Sequence, residues 1–176
     1  MKPKITPTNV ENVMREDDFI VSKTDTKGII TYTNRTFIEF AKYEESDLIG
    51  ASHNIIRHPS MPRVVFKLLW DTVKSENEIN AYVKNLANDG SFYWVFANIT
   101  PVTNNSGELV GYYSVRRKPN REILNIIEPL YKTLLDEEKK FEEQNRIKEG
   151  MEASEAILEK LLNEKGMTYD EFILTI

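Results

Sequence analysis

Residues 80–100 read NAYVKNLANDGSFYWVFANIT. Two runs rich in aromatic and β-branched residues flank Asn88-Asp89-Gly90. An Asp-Gly pair between such runs is a strong short-range signal for a β-hairpin. The spacing predicts one strand over 80–87 and a second over 91–100. Along the second, Phe92, Trp94 and Phe96 share one face, and Tyr93, Val95 and Ala97 share the other. Asn105-Ser106-Gly107 then turns the chain into a third strand over 109–116.

Upstream, the pattern repeats on a smaller scale. Phe19–Lys23 is a short apolar run closed by Asp25-Thr26-Lys27-Gly28, and Ile29–Thr33 is β-branched. These two segments predict a hairpin. The Asn34 side chain is placed to cap a helix carrying Phe37, Phe40 and Ala41 on one face. Ser46–Gly50 is a helical turn ended by glycine, and 54–56 is one turn at most. Pro62 precedes the strongest helix of this half, with Val65, Phe66, Leu69, Trp70 and Val73 at helical spacing. The order β-β-α-α-α-β-β-β predicts an α+β domain: a five-stranded antiparallel sheet with helices gathered on one face.

Charge divides the chain near Pro119. Residues 1–118 carry 15 Lys+Arg against 14 Asp+Glu, and residues 119–176 carry 8 against 14. The expected organisation is an N-terminal cap over 1–18, a sensor-sized domain over 19–118 and an acidic helical tail over 119–176. In the tail, Ile123, Ile127, Leu130 and Leu134 form a stripe that Pro129 either kinks or restarts. Residues 136–149 are almost wholly polar, with Phe141 and Ile147 as anchors, and Gly150 is expected to separate the next helix. The heptad pattern is broken, so no coiled coil is expected. Thr168-Tyr169-Asp170-Glu171 reads as a capping box for a last helix bearing Phe172 and Ile173.

Composition excludes much chemistry. There are no cysteines, which removes disulfides, thiolate metal sites, iron–sulfur clusters and cysteinyl adducts. Two histidines, His53 and His58, are too few for a multi-histidine metal centre. The seven glycines are scattered at turns, and neither a phosphate-cradling loop nor a nucleophile elbow is present. An enzyme is not expected. A near-neutral domain with an acidic tail does not suit nucleic acid or an anionic membrane surface. No apolar run approaches a membrane span, and residues 1–18 carry no signal-peptide core, so a cytoplasmic protein is expected.

The chemically informative block is His53-Asn54-Ile55-Ile56-Arg57-His58-Pro59-Ser60-Met61-Pro62. Arg57 offers fixed donors for a phosphate or carboxylate, and His58 a donor or a ligand nitrogen. The plainer alternative is a rigid connector whose His and Arg cap helix ends. Phe66, Trp70 and the aromatics of 92–96 suit either core packing or a slot for a planar ring. Asn85 and Asn98 fall in strands, where asparagine is depleted; they suit the polar edge of a heterocycle, or an edge or bulge position.

With these residues in place, the chain resembles a PAS domain over about residues 18–118. The resemblance rests on Asp25-Thr26-Lys27-Gly28, Asn34, Asn88-Asp89-Gly90-Ser91-Phe92-Tyr93-Trp94 and Gly111-Tyr112-Tyr113-Ser114-Val115-Arg116. The block from His53 to Pro62, followed by Phe66 and Trp70, is similar to the flavin-binding PAS domain of bacterial aerotaxis and energy-taxis receptors. That family implies non-covalent FAD, with Asn34, Arg57, His58, Phe66, Trp70, Asn85, Trp94 and Asn98 as pocket residues. Ser60 stands where the family commonly has an acidic residue. Blue-light flavin PAS domains are similar at Asn85. They differ at Val95, where they carry an asparagine, and at Arg116, where they carry a glutamine. Arg116 is therefore expected to stabilise negative charge added to the flavin. The resemblance implies a redox sensor acting through another chain, a separate membrane chemoreceptor, with the tail as docking or dimerisation element and a homodimer expected. The alternatives are a haem-binding PAS gas sensor with His58 or His53 as ligand, and a cofactor-free PAS interaction module. All flavin readings need a hollow cavity beneath the sheet, not one plugged by Phe66, Trp70 and Trp94.

Overall fold

The computed structural model describes residues 5–176. Strands β1 (Ile20–Thr24), β2 (Ile30–Thr33), β3 (Ile79–Leu86), β4 (Phe92–Thr103) and β5 (Leu109–Arg117) form one antiparallel sheet in the order β2-β1-β5-β4-β3. The two turns that the sequence marks are built as expected. The Asp25 carboxylate accepts from the amides of Lys27 and Ile29, and Gly28 takes φ +79°. Gly90 takes φ +87° between β3 and β4, a conformation with little steric cost only for glycine.

Between β2 and β3 lie α1 (Arg35–Ala41), α2 (Glu45–Leu48), a single 3₁₀ turn (His53–Ile56) and α3 (Arg63–Lys74). They cover the inner face of the sheet. Phe37, Ala41, Leu48, Ile56, Val65 and Val73 are buried there against Ile20, Ala81, Val95 and Ala97. The segment before β1 runs beside the start of β4. Thr8 and Asn12 donate backbone hydrogen bonds to Gly90 and Phe92, and Met14 is buried.

The tail folds as α4 (Arg121–Glu142), α5 (Ile147–Lys165) and α6 (Tyr169–Thr175). It lies back on its own domain. The Tyr131 hydroxyl on α4 donates to the Tyr82 carbonyl at 2.8 Å, and Asp170 on α6 accepts from the Asn80 amide at 3.0 Å. Both are backbone groups of the edge strand β3, and Trp94 on the outer face of β4 lies 6.3 Å from the Tyr131 ring, so the tail covers the β3 edge and the outer face beside it. α4 runs through Pro129 without a break. The expected break at Gly150 is displaced to residues 143–146, where Asn145 takes φ +57°. Gly150 instead lies inside α5, where a side chain would meet the Glu138 carbonyl at 3.0 Å. Its role is close helix packing. The capping box at Thr168 and Glu171 forms as the sequence indicates.

Candidate functional site

The inner face of the sheet is not filled. A cavity lies between β1, β3, β4 and β5 on one side and the His53–Arg57 segment and α3 on the other. Its free space is about 760 Å³ counted to its open mouth, of which about 90 Å³ can hold the centre of a water molecule. Aromatic and aliphatic side chains dominate the α3 wall: Phe66, Leu69, Trp70 and Val73. Trp70 stands edge-on to Tyr112, with ring centroids 5.4 Å apart. A side chain at Gly28 would come within 2.8 Å of the Trp70 ring, so the β1–β2 turn and the cavity wall constrain each other.

The polar wall is the informative one. Arg116, on β5, is 2% exposed. No carboxylate among the described residues pairs with it. Its guanidinium donates to the Ser22 hydroxyl and, at 3.3 Å, to His53 Nε2, and it stacks on Phe37 at 4.6 Å. Its Nε has no acceptor. A buried cation without a counter-charge is costly, and burial lowers its pKa to about 10. Because a guanidinium only donates, His53 Nε2 must accept, which places the imidazole proton on Nδ1. Burial, reinforced by Arg116, pushes the His53 pKa down to about 3, so the ring is neutral at physiological pH. Asn85, on β3, lines the same cavity with its Nδ2 buried and unpartnered. At the rim, Arg57 stacks on Phe66 at 4.4 Å and reaches the Met61 carbonyl at 3.4 Å.

Five of the expected pocket residues thus come together: Arg57, Phe66, Trp70, Asn85 and Arg116. Four do not, and the expectation for them is corrected. Asn34 is spent on the backbone: its Oδ1 accepts from Val21 and Phe37 amides, and its Nδ2 donates to the Phe19 carbonyl. Trp94 points to the outer face by strand alternation, 6.3 Å from Tyr131 of the tail. Asn98 shares that outer face and donates to Asn80 at 3.1 Å, beside Asp170. His58 turns away from the cavity, with Nδ1 accepting from the Ser60 amide and lying 2.7 Å from its hydroxyl, and with its edge against Phe92. In this polar wall the sequence reading passed over Ser22 and took His53 only as an alternative haem ligand. Their signal was weak: a histidine one turn before the arginine, and a serine on the inward register of β1.

A five-stranded sheet with four helical segments over one face and a cavity between them is the architecture of a PAS domain. Residues 30–116 match the family model of the PAS fold, and the chain carries a PAS domain there. Its relatives include the aerotaxis receptor of Escherichia coli K12, 36% identical over 132 residues, which are 75% of this chain and 26% of the receptor. The nitrogen fixation regulatory protein of Klebsiella pneumoniae is 31% identical over 97 residues, 55% of this chain and 20% of that protein. The chain therefore spans only 26% and 20% of the length of these two relatives. A solved light-oxygen-voltage domain studied with a flavin analogue shares the fold, with a TM-score of 0.55 at 18% identity over 62% of this chain and 82% of that one.

Proposed function

We propose that the cavity binds a flavin without a covalent bond, as FAD, and that the protein is a redox sensor. One observation carries the reading. Two residues that line the cavity, Asn85 and Arg116, each bury a donor, Nδ2 and Nε, that finds no acceptor. A ligand suits them if it has a planar apolar body and an edge of carbonyl and ring-nitrogen acceptors. Phe66 and Trp70 supply apolar contact for the body. Arg57 at the rim is suited to a phosphate. When bound, the flavin supplies a reversible store for electrons. The residues do the rest. Arg116 balances negative charge that arrives in a site of low dielectric. Neutral His53 keeps the guanidinium aimed and holds its own proton on the far nitrogen. Asn85 orients the polar edge.

The haem alternative is less well supported. His53 Nε2 is engaged by a cation, and His58 lies outside the cavity. The likeness to an aerotaxis receptor supports a role in aerotaxis or energy taxis. We assign the output to a membrane chemoreceptor carried on another chain, with the protein acting in the cytoplasm as a homodimer. No described helix is long and apolar enough to cross a membrane.

The test is direct. Purified protein expressed with riboflavin supply is expected to show flavin absorbance, and denaturation should release FAD identifiable by mass. Arg116→Met and Asn85→Leu should each lose most of it. A colourless wild type, or a Soret band, would defeat the reading.

A further inference from the structure

α3 carries the apolar wall of the cavity, yet it has no cap of its own. The residue before it is Pro62, which makes no side-chain capping bond. The first amides of a helix need acceptors from elsewhere. Two of them find one 75 and 74 residues along the chain. The Arg63 amide donates to Glu138 Oε2 at 2.8 Å, and the Val64 amide to Glu138 Oε1 at 2.9 Å. Glu138 belongs to α4 of the tail, and it is 2% exposed. The Ser154 hydroxyl of α5 donates to the same Oε1 at 3.1 Å. One carboxylate therefore joins three helices, with its charge at the positive end of α3. Two ion pairs flank the junction: Arg63 with Glu142 at 2.9 Å, and Lys67 with Glu155 at 2.8 Å. Gly150 lets α5 approach the Glu138 backbone.

We propose that Glu138 couples the tail to the cavity wall, so that the position of α3 and the docking of α5 are a single equilibrium. Phe66 and Trp70 lie one and two turns past the capped amides. A shift of α3 at the cavity alters the seat of Glu138, and with it the hold on α5. By linkage, loosening α5 must loosen α3. The coupling holds whatever occupies the cavity, so it does not stand or fall with flavin binding.

Amide hydrogen exchange on the full chain tests it. Glu138→Ala is expected to speed exchange at residues 66–71 of α3 and 150–158 of α5 together, by about five-fold or more, the loss typical of a helix cap. Strand amides near Val95 and Tyr113 should be unchanged. Faster exchange in α5 alone, in neither helix, or equally in the strands overturns the proposal. If Glu138→Ala does not fold, Gly150→Ala gives the reading, because it leaves the carboxylate in place while pushing α5 off α4. Faster exchange in α3 then supports the coupling, and unchanged exchange in α3 overturns it.

Discussion

The two faces of the same sheet are built for opposite ends. On the outer face of β3–β4, the rings of Tyr82, Trp94 and Phe96 are buried, and Trp94 lies against Tyr131 of the tail. Its polar groups pair as well: Tyr131 with Tyr82, and Asn98 with Asn80 beside Asp170. On the inner face, Asn85 Nδ2 and Arg116 Nε are buried without partners around free space. A surface that serves stability satisfies its donors, and a surface that serves a ligand leaves some waiting. Aromatic content does not separate the two. Hydrogen-bond satisfaction does.

Four measurements break or sharpen this contrast. Trp94→Ala should be the most damaging, at about 3–5 kcal/mol of stability in denaturant melts, because it empties a packed position. Flavin content per folded chain should stay the same. A variant of normal stability that loses flavin would return Trp94 to the site.

Acid comes next and touches both sides at once. Burial pushes His53 to about 3 on the inner side and His58 to about 4 on the outer side. Unfolded histidine takes a proton near 6.5 while the folded rings stay neutral, so stability is complete above that pH and falls as pH drops toward the folded values. The slope approaches about 1.4 kcal/mol per pH unit for each ring fully titrating in the unfolded chain alone. Melts between pH 7 and 4.5 on wild type and His53→Asn should show a shallower loss in the variant. Identical slopes would show that His53 is hydrated in solution.

Tyr131→Phe removes a satisfied outer-face hydroxyl and should cost about 1–2 kcal/mol. Arg116→Met should cost the least in ligand-free protein. It exchanges an unpaired buried cation for an apolar side chain, and stability is expected to hold within about 1 kcal/mol or rise. A loss as large as that of Trp94→Ala would mean that Arg116 is a structural residue.

Local signals were the legible part. Asp25–Gly28 and Asn88–Gly90 are turns because Asx side chains and glycine produce turns wherever they occur. The helix at Phe66 and Trp70 follows from period, and the capping box at Thr168 from two side chains three residues apart. Arg57, Phe66, Trp70, Asn85 and Arg116 were expected at a pocket through motif and resemblance, and the structure places them along one cavity. Trp94 shows where the reading stopped. Alternation separates Trp94 from Tyr93, but it does not say which face is inward when both are apolar. That depended on the tail covering the outer face.

By itself, the sequence determined the elements, their turns and the inventory of donors available to a ligand, because these depend on residues within a few positions of one another. Tertiary structure alone decided that Gly150 serves packing rather than a break. It decided that Glu138, in a stretch that reads as solvated, is buried as the cap of a helix 75 residues away. It also decided that Arg116 has no counter-charge among the described residues. Each of these is a matter of which surfaces meet across the fold, and a polar side chain is defined by the partner it finds or lacks there.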